Sequence, residues 1–304
     1  MYLGMDIGGS KMEIAALNID SEVIIRERLP TPGDDYELFL NTIKQLVDIA
    51  ISKVGEVKLL ALSMCGLVNN RDRTVWSANL PYLNDKDLFK DLANLFSFPV
   101  YIENDCRCFA ISEAIGGAAD KFETVFGAIL GTGVGGGFVI RKRLLSGKNG
   151  IVGEWGHSCI DSSIQQKYKL TLLECGCGRQ GCIEQYISGR GLSNLYREFF
   201  KKDLSSEKII QKMRQGSENA IYTFNVFIDI LSSELSSLTN IIDPDAIVLG
   251  GGLSNVAEIY PALRDKLEEK MLSRMLAPAV LRPRYLDSSG VRGAVLFAIN
   301  KGGF

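Results

Sequence analysis

Three closely spaced cysteines and the only histidine of the chain form the first pattern with a clear chemical meaning. Cys175, Cys177 and Cys182 lie in a glycine-rich segment, and His157 precedes them in Gly-Glu-Trp-Gly-His. Glycines beside the thiols allow the sharp turns that bring three sulfurs to one point. Because three thiolates and one imidazole are a standard ligand set for structural zinc, we expect these residues to hold one Zn²⁺. The alternative is three reduced thiols beside a histidine satisfied in the core.

Two aspartates follow apolar stretches that are typical of strands. Asp105 lies between the apolar run 99–102 and a helical pattern, where a carboxylate can project into a cleft and accept a proton from a hydroxyl. The competing role for Asp105 is the N-cap of the following helix. Asp6 ends the first apolar run, and its oxygens suit Mg²⁺, although a turn-forming aspartate fits the same position.

Three glycine-rich turns have the composition of backbone-amide cradles for phosphate. They are Gly8–Lys11, Gly131–Gly137 and Gly250–Gly252, and the first two repeat one strand–turn–strand design at a spacing of 123 residues. This repeat predicts two related domains. The second turn also matches G-x-G-x-x-G, but a strand pattern follows it where the dinucleotide fingerprint requires a helix. That mismatch argues against a nucleotide-cofactor oxidoreductase.

Alternating strand and helix patterns predict an α/β fold. Strands are expected at 2–7, 12–17, 99–102, 124–130, 138–140 and 246–249. Helices are expected at 35–54, 86–96, 106–116, 189–201, 206–214, 217–241 and 256–272.

Composition excludes several classes of protein. The 304 residues are 46% hydrophobic and carry 34 Lys+Arg against 36 Asp+Glu, a net charge of −2 that gives no footprint for nucleic acid. No apolar run approaches the ~20 residues of a membrane span. The chain has seven cysteines, an odd number, and its first residues do not have the pattern of an export signal. Both features argue against a disulfide framework. We expect a cytoplasmic enzyme that binds neither nucleic acid nor membrane.

The motifs together resemble the ROK family of sugar kinases and sugar-responsive repressors, within the actin/hexokinase-like ATPase superfamily. The similarity extends over nearly the whole chain. It is carried by Asp6–Lys11, Glu103-Asn-Asp105, Leu130–Gly137, Gly153–His157, Cys175–Glu184, Asp243-Pro-Asp245 and Gly250–Gly252.

The resemblance implies a two-lobed actin/hexokinase-like (ribonuclease H-like) ATPase fold of the α/β class with a cleft between the lobes. A small lobe would comprise residues 1–117 and about 290–304, and a large lobe with the cysteine motif would comprise 118–289. Members of the family are usually dimers or tetramers, so a homodimer or homotetramer is expected.

The resemblance also implies roles for individual residues. Asp105 would be the catalytic base. Sugar contacts would come from Gly66, Asn79, Asn104, Asp105, Glu154, His157 and Glu184. ATP and Mg²⁺ would be bound by Asp6, Gly8, Gly9, Ser10, Lys11, Gly131, Thr132, Gly133, Gly135, Gly136, Gly250, Gly251 and Gly252. The zinc ligands would be His157, Cys175, Cys177 and Cys182.

The expected reaction is ATP-dependent phosphorylation of a hexose at its 6-hydroxyl. The sequence is most similar to the bacterial manno(fructo)kinases and N-acetylglucosamine kinases. Leu83-Asn84 and Asp287–Gly293, among other segments, favour a neutral hexose such as fructose or mannose, whereas Leu130–Gly137 and 187–191 favour N-acetylglucosamine. On balance these segments favour the neutral hexose, with N-acetylglucosamine as the alternative. A sugar-sensing repressor is disfavoured because the phosphate motif begins at Asp6 and leaves no room before it for a helix-turn-helix.

Three departures from the family pattern concern the substrate. Cys65 stands where the family generally has proline, and Cys106 and Arg107 replace a typical Ala-Asn pair after Asp105. We expect Arg107, one turn from the sugar site, to be able to reshape that site.

Overall fold

A computed structural model describes residues 1–69, 71–285 and 288–303. Asp287, the first residue of one of the substrate motifs, lies outside the described residues. The first elements are β1 (Tyr2–Ile7), β2 (Lys11–Leu17), β3 (Val23–Pro30), α1 (Tyr36–Val54), β4 (Leu59–Met64), β5 (Leu67–Val68), β6 (Val75–Trp76), α2 (Leu88–Leu95), β7 (Val100–Asn104) and α3 (Asp105–Ala114). They are followed by β8 (Thr124–Leu130), β9 (Val134–Ile140), β10 (Arg143–Leu144), α4 (Ser162–Tyr168), α5 (Glu184–Ile187), α6 (Gly189–Phe200), α7 (Ser206–Arg214), α8 (Glu218–Ile242), β11 (Ala246–Gly250), α9 (Ile259–Lys270), β12 (Ala279–Leu281) and α10 (Ser289–Gly302).

Contacts divide the chain into two compact units. The first unit comprises residues 1–121, 137–153 and 284–304, and the second comprises 122–136 and 154–283. The segment 137–153 thus belongs by its contacts to the first unit, whereas the lobe boundaries expected above assign it to the large lobe.

The first unit is built on a five-stranded sheet in the order β3-β2-β1-β4-β7. β1 pairs antiparallel with β2 and parallel with β4, so the hairpin forms one half of the sheet and parallel strands form the other. One face carries Leu3, Met5 and Ile7 against residues of α1 such as Phe39 and Ile43. Leu3, Met5 and Ile7 share this face because alternate side chains of a strand point to opposite faces.

The opposite face of this sheet packs on α10. Tyr2, Ala15 and Ala61 contribute to a second apolar cluster with Val291 and Val295 of that helix. A methyl group on Gly4 would lie only 2.2 Å from the carbonyl oxygen of Val291. Glycine at position 4 therefore lets the helix backbone rest directly on β1.

The second unit contains the whole of β8, β11 and β12 and the first three residues of β9. β11 pairs in parallel with both β8 and β12. The long helix α8 is buried over most of its length, with side chains such as Phe227, Leu231 and Leu235 in the interior. None of the helices in the described part of the chain has both the length and the apolar character that a membrane span requires.

The expected strands and long helices are all present, with ends shifted by a few residues. Several elements were not predicted, namely β3, β4, β5, β6, β10, β12, α4 and α5. β3 is a largely exposed edge strand that carries Arg26 and Arg28, so its residues lack an apolar alternation. α4 has only seven residues, too few for a helical period to stand out.

Candidate active site and metal centre

A row of polar side chains crosses the first sheet at one level. Cross-strand pairing places Arg28 beside Glu13, Glu13 beside Asp6, Asp6 beside Ser63, and Ser63 beside Glu103. Directly opposed residues on one face of a sheet lie within about 5.5 Å of each other. Three carboxylates from distant parts of the sequence are thus aligned on the face that packs against α10.

Two of these carboxylates are paired with arginines, and Asp6 is not paired in this way. Glu13 contacts Arg28 and Arg26, and Glu103 contacts Arg107. Asp6 instead accepts a hydrogen bond of 2.7 Å from the Ser63 hydroxyl.

Burial raises the pKa of Asp6, and the charge of Glu13 raises it further against the opposing effects of Ser63 and Lys11. A carboxylate with this excess of negative charge around it is a suitable ligand for a divalent cation.

Asp105 is the first residue of α3, and it is not the N-cap. The N-cap is Asn104, whose side-chain oxygen accepts a hydrogen bond from the Arg107 N–H at 3.2 Å. Asp105 Oδ1 accepts from the Cys106 N–H at 2.9 Å and from the Asn104 amide at 3.0 Å. Because Asn104 takes the capping position, the structural role that competed with the catalytic one for Asp105 is excluded.

The pKa of Asp105 is raised to about 6, first by burial and then by the charge of Asp6. A carboxylate of this pKa is a stronger base than an exposed aspartate and remains ionised at neutral pH. Perturbed carboxylates that influence one another are typical of catalytic sites. The two aspartates singled out from the sequence therefore lie in one electrostatic environment.

The predicted sugar ligands of the first unit surround this turn. Asn104 donates to the carbonyl of Gly66 at 2.9 Å, which places Gly66 directly beside the base. Cys65 lies close to both Asp105 and Asn79. Burial raises the pKa of its thiol to about 11; the charge of Asp105 raises it further, and a hydrogen bond with Asn79 lowers it. Gly66, Asn79, Asn104 and Asp105 are thus brought together.

The turn Gly8–Lys11 connects β1 to β2 directly beyond Asp6. It is closed by a hydrogen bond of 3.0 Å from the Gly8 N–H to the Lys11 carbonyl, and Gly8, Gly9 and Ser10 precede the first residue of β2. Thr31 secures it twice: its hydroxyl donates to the Gly8 carbonyl at 2.8 Å and its N–H donates to the Ser10 carbonyl at 3.1 Å. Thr31 was not among the predicted site residues.

The glycines of the second unit form a compact main-chain structure. The Gly131 N–H donates to the Gly133 carbonyl, and the Gly189 N–H donates to the Gly131 carbonyl. Gly251, at a φ of 75°, lies so close to Leu130 that a methyl group would approach its carbonyl to 2.6 Å. The two predicted phosphate turns of this unit are therefore in contact.

A cavity of about 600 Å³ opens beside these turns within the second unit. Its walls include Gly131, Thr132, Arg190, Glu207, Gly252 and Asn255. Its volume lies within the usual range for small-ligand sites. Arg190 and Glu207 were not predicted as site residues, because neither belongs to one of the three predicted phosphate turns.

The four predicted zinc ligands converge in the structure. The Nδ1 atom of His157 and the sulfurs of Cys175, Cys177 and Cys182 all lie within 4.8 Å of one another. The Cys177 and Cys182 sulfurs are 3.5 Å apart, and Cys175 Sγ is 3.6 Å from His157 Nδ1. With Zn–S bonds of about 2.3 Å, the edge of a tetrahedron is about 3.8 Å, so the spacing fits this ion.

Glu184 and Trp155 connect this cluster to the glycine turn of the same unit. Glu184 accepts a hydrogen bond of 2.9 Å from the Val134 N–H and also contacts the Cys175 sulfur at 3.8 Å. The Trp155 indole donates to the Gly135 carbonyl at 2.8 Å. Glu184 thus has a structural role in addition to the sugar-binding role predicted for it.

His157 presents its second ring nitrogen to a carboxylate. With Nδ1 in the cysteine cluster, Nε2 lies 4.0 Å from Glu154 Oε2. The structure therefore brings Glu154, His157 and Glu184 to the edges of one cluster, as the motif spacing predicts.

Comparison with known proteins agrees with these features. The model of the ROK family matches residues 2–301. An N-acetylgalactosamine kinase of Shewanella sp. (strain ANA-3) is 40% identical over 296 residues, covering 97% of this chain and 96% of the relative. An N-acetyl-D-glucosamine kinase of Haemophilus influenzae (strain 86-028NP) is 38% identical over 304 residues, covering 99% and 100% respectively.

Solved structures give the same result. A ROK hexokinase of Thermus thermophilus is 26% identical, with a TM-score of 0.89 and coverage of 99% of both chains. A ROK glucokinase of Streptomyces griseus, solved with glucose and AMPPNP, is 25% identical with a TM-score of 0.78 over 97% of both chains. The fold is therefore that of the actin-like ATPases, and the chain belongs to the ROK family.

Proposed function

We propose that this protein is an ATP-dependent kinase of N-acetylhexosamines that phosphorylates the 6-hydroxyl. Its membership of the ROK family and its relatives, which are named N-acetylgalactosamine and N-acetylglucosamine kinases, support a sugar kinase. The observation that carries the proposal is the position of Asp105, a buried carboxylate whose pKa is about 6, beside sugar-ligand candidates and Asp6.

In this proposal Asp105 accepts the proton of the attacking hydroxyl. Its pKa leaves it ionised at neutral pH, and hydrogen bonds from Asn104 and Cys106 fix its Oδ1 atom. Asn104 also occupies the N-cap, so its orientation is determined by the helix itself. A base held in this way contributes about 10²–10⁴-fold to the rate.

Asp6 is the residue that we assign to Mg²⁺. The ion would neutralise negative charge on the transferred phosphoryl group. The negative charge around Asp6 supports this assignment, since the charge of Glu13 raises the pKa of Asp6 and the charge of Asp6 in turn raises the pKa of Asp105. The Gly8–Lys11 turn follows Asp6 directly and presents main-chain amides for phosphate.

The nucleotide assignments in the second unit stay predictions. We assign the phosphates to Gly131–Gly136 and the adenosine to the cavity beside Gly250–Gly252, whose volume of about 600 Å³ is suitable for a nucleoside. The roles of Glu154, His157 and Glu184 in sugar binding, the two lobes, the homodimer or homotetramer and the cytoplasmic location also stay predictions.

We also propose one structural Zn²⁺ per chain, held by His157, Cys175, Cys177 and Cys182. The spacing of the four ligand atoms supports the ion. Four protein ligands leave no position for water, so the zinc has a structural role. It would hold the His157 ring with Nε2 on the side of Glu154.

A neutral hexose is the second candidate substrate. The motif-based ranking above favours it, and the structural neighbours include a hexokinase and a glucokinase. We place N-acetylhexosamines first because those neighbours are 26% and 25% identical to this chain, whereas the named N-acetylhexosamine kinases are 40% and 38% identical.

An ADP-release assay with Mg-ATP tests the proposal. The sugar panel is N-acetylglucosamine, N-acetylgalactosamine, N-acetylmannosamine, glucose, mannose and fructose. We expect the highest kcat/KM with one of the first two sugars and loss of turnover in Asp105→Asn. Asp20→Asn, which changes an exposed aspartate in the first unit, is the matched control. Turnover only with neutral hexoses would reverse the ranking, and no sugar-dependent ADP release would refute the kinase.

Metal analysis tests the zinc site. Protein purified without chelator should contain one zinc per chain, and Cys177→Ser should contain less. Cys159→Ser is the control, because Cys159 is an exposed thiol outside the four-residue cluster. Zinc-free wild-type protein with normal activity would contradict the assignment.

A further inference from the structure

Arg107 is a fully buried arginine next to the proposed catalytic base. Its side chain is 1% exposed, and its guanidinium donates to the carbonyl oxygens of Gly150 at 2.7 Å and Leu145 at 3.3 Å. It also lies 3.3 Å from Glu103 Oε2. A buried charge is costly unless it is paired and hydrogen-bonded, so this residue requires an explanation.

Glu103, the partner of Arg107, is itself in contact with the catalytic turn. It is 1% exposed, and its Oε1 atom accepts the main-chain N–H of Asn104 at 2.8 Å. The Arg107 N–H donates in turn to the side chain of Asn104. Asn104 is therefore held at its main chain by Glu103 and at its side chain by Arg107, and it donates to Asp105 Oδ1.

We propose that Arg107 is a positioning residue for Asp105, which rests on the proposed function. The guanidinium connects Glu103 to the loop Leu145–Gly150, and Glu103 and the Arg107 N–H together fix Asn104 and, through it, the carboxylate of Asp105. Because Arg107 is buried and its Nη1 and Nη2 atoms are directed at main-chain carbonyls and Glu103, it acts on Asp105 through Glu103 and Asn104 and not by contact with the substrate. The expectation that its side chain reshapes the sugar pocket directly is thereby replaced.

Removal of the guanidinium would leave Glu103 without a counter-ion in the interior. Burial already raises the pKa of Glu103, and the charge of Arg107 is the main effect that opposes this. Without Arg107, the carboxyl group either takes up a proton or turns towards water, and both changes disturb its bond to the Asn104 N–H. A displacement of about 1 Å at a catalytic group can cost about 10²-fold in rate.

The variant Arg107→Met tests the inference, because methionine fills much of the same volume without donors. We expect kcat with the sugar to fall about 10- to 100-fold, while the KM for ATP stays within about twofold. Hydrogen exchange should accelerate at residues 103–107 and 145–150.

The matched control is Arg292→Met. Arg292 is 6% exposed and donates to the carbonyls of Ser112 and Ile115, in and directly after the far end of the same helix α3. Its loss should lower the melting temperature and reduce kcat per folded molecule far less than the loss of Arg107 does. If both variants lose activity only in proportion to lost folded protein, Arg107 is merely structural and the inference is refuted.

A double variant tests the route through Glu103. The double variant Glu103→Gln/Arg107→Met has no unpaired carboxylate at position 103, and the glutamine side-chain oxygen can still accept a hydrogen bond from the Asn104 N–H. We expect its kcat to be several-fold higher than that of Arg107→Met and still below that of the wild type. A double variant no better than Arg107→Met, or wild-type kcat in the single variant, would overturn the inference.

The two proposals fail in different ways. Absence of sugar-dependent ADP release from the wild-type protein refutes the proposed function. The hydrogen-exchange measurement still applies in that case, and unchanged exchange at residues 103–105 in Arg107→Met refutes the positioning role.

Discussion

Gly290 is the point at which a single methyl group should disable the proposed metal ligand. This residue is the second of α10, and a Cβ atom built on it would lie 2.5 Å from both Cγ and Oδ1 of Asp6 and 2.9 Å from Oδ2. Favourable contacts between non-bonded atoms begin at about 3.5 Å. The variant Gly290→Ala must therefore move the carboxylate, the helix or both by about 1 Å.

The displacement acts on the bond that orients Asp6. The Ser63 hydroxyl is 2.7 Å from Asp6 Oδ1, and a shift of about 1 Å stretches this bond beyond hydrogen-bonding distance. We expect kcat to fall about 10²-fold and the Mg²⁺ concentration for half-maximal rate to rise. Steady-state ADP release over a Mg²⁺ titration measures both quantities.

Two glycine-to-alanine variants serve as controls. Gly33 has open space around its Cβ position, so Gly33→Ala should behave as the wild type. Gly4→Ala presses on the Val291 carbonyl and disturbs the packing of α10 without contacting Asp6, so it should lower the melting temperature and raise the Mg²⁺ requirement less than Gly290→Ala does. Folded Gly290→Ala protein with kcat within about twofold of wild type would refute the assignment of Asp6.

Three further predictions concern the same unit. Because Asp105 must be ionised to accept a proton and its pKa is about 6, kcat/KM for the sugar should fall about tenfold per pH unit below that value; a profile that stays flat to pH 5 would contradict this. Because the folded protein holds the proton of Asp105 more tightly than the unfolded chain does, this carboxyl group stabilises the fold fully at pH values below about 3.8. That contribution is lost as the pH rises through about 6. Asp105→Asn should therefore be inactive yet more stable than wild type at pH 7, by about 3 kcal/mol in urea unfolding, and equal stability would argue against the buried charge. Thr31→Val removes the hydroxyl bond to the Gly8 carbonyl and should raise the KM for ATP several-fold with an unchanged KM for the sugar, whereas equal changes in both would indicate general damage.

Motif spacing alone identified much of this protein. The convergence of His157 with the three cysteines could be expected because glycines flank the thiols and the chain has no other histidine. The position of Asp105 between a strand and a helix could be expected from the local pattern, and its proposed role as the base was implied by the resemblance of Glu103-Asn-Asp105 to the family motif. These features depend on residues close together in the chain, where local geometry limits the possibilities.

Strand register and close packing determine the contacts between residues that are distant in the chain. Glu13, Asp6, Ser63 and Glu103 share one level of the first sheet only because four strands pair in one register, and a shift by one residue would turn them to the opposite face. No local pattern indicates that Gly290 contacts Asp6, since 284 positions separate them in the chain. The buried connection from Arg107 to Leu145 and Gly150 likewise joins segments that only the folded interior brings within hydrogen-bonding distance. Hydrogen bonds and burial act over a few ångströms, so their partners are defined by the tertiary fold.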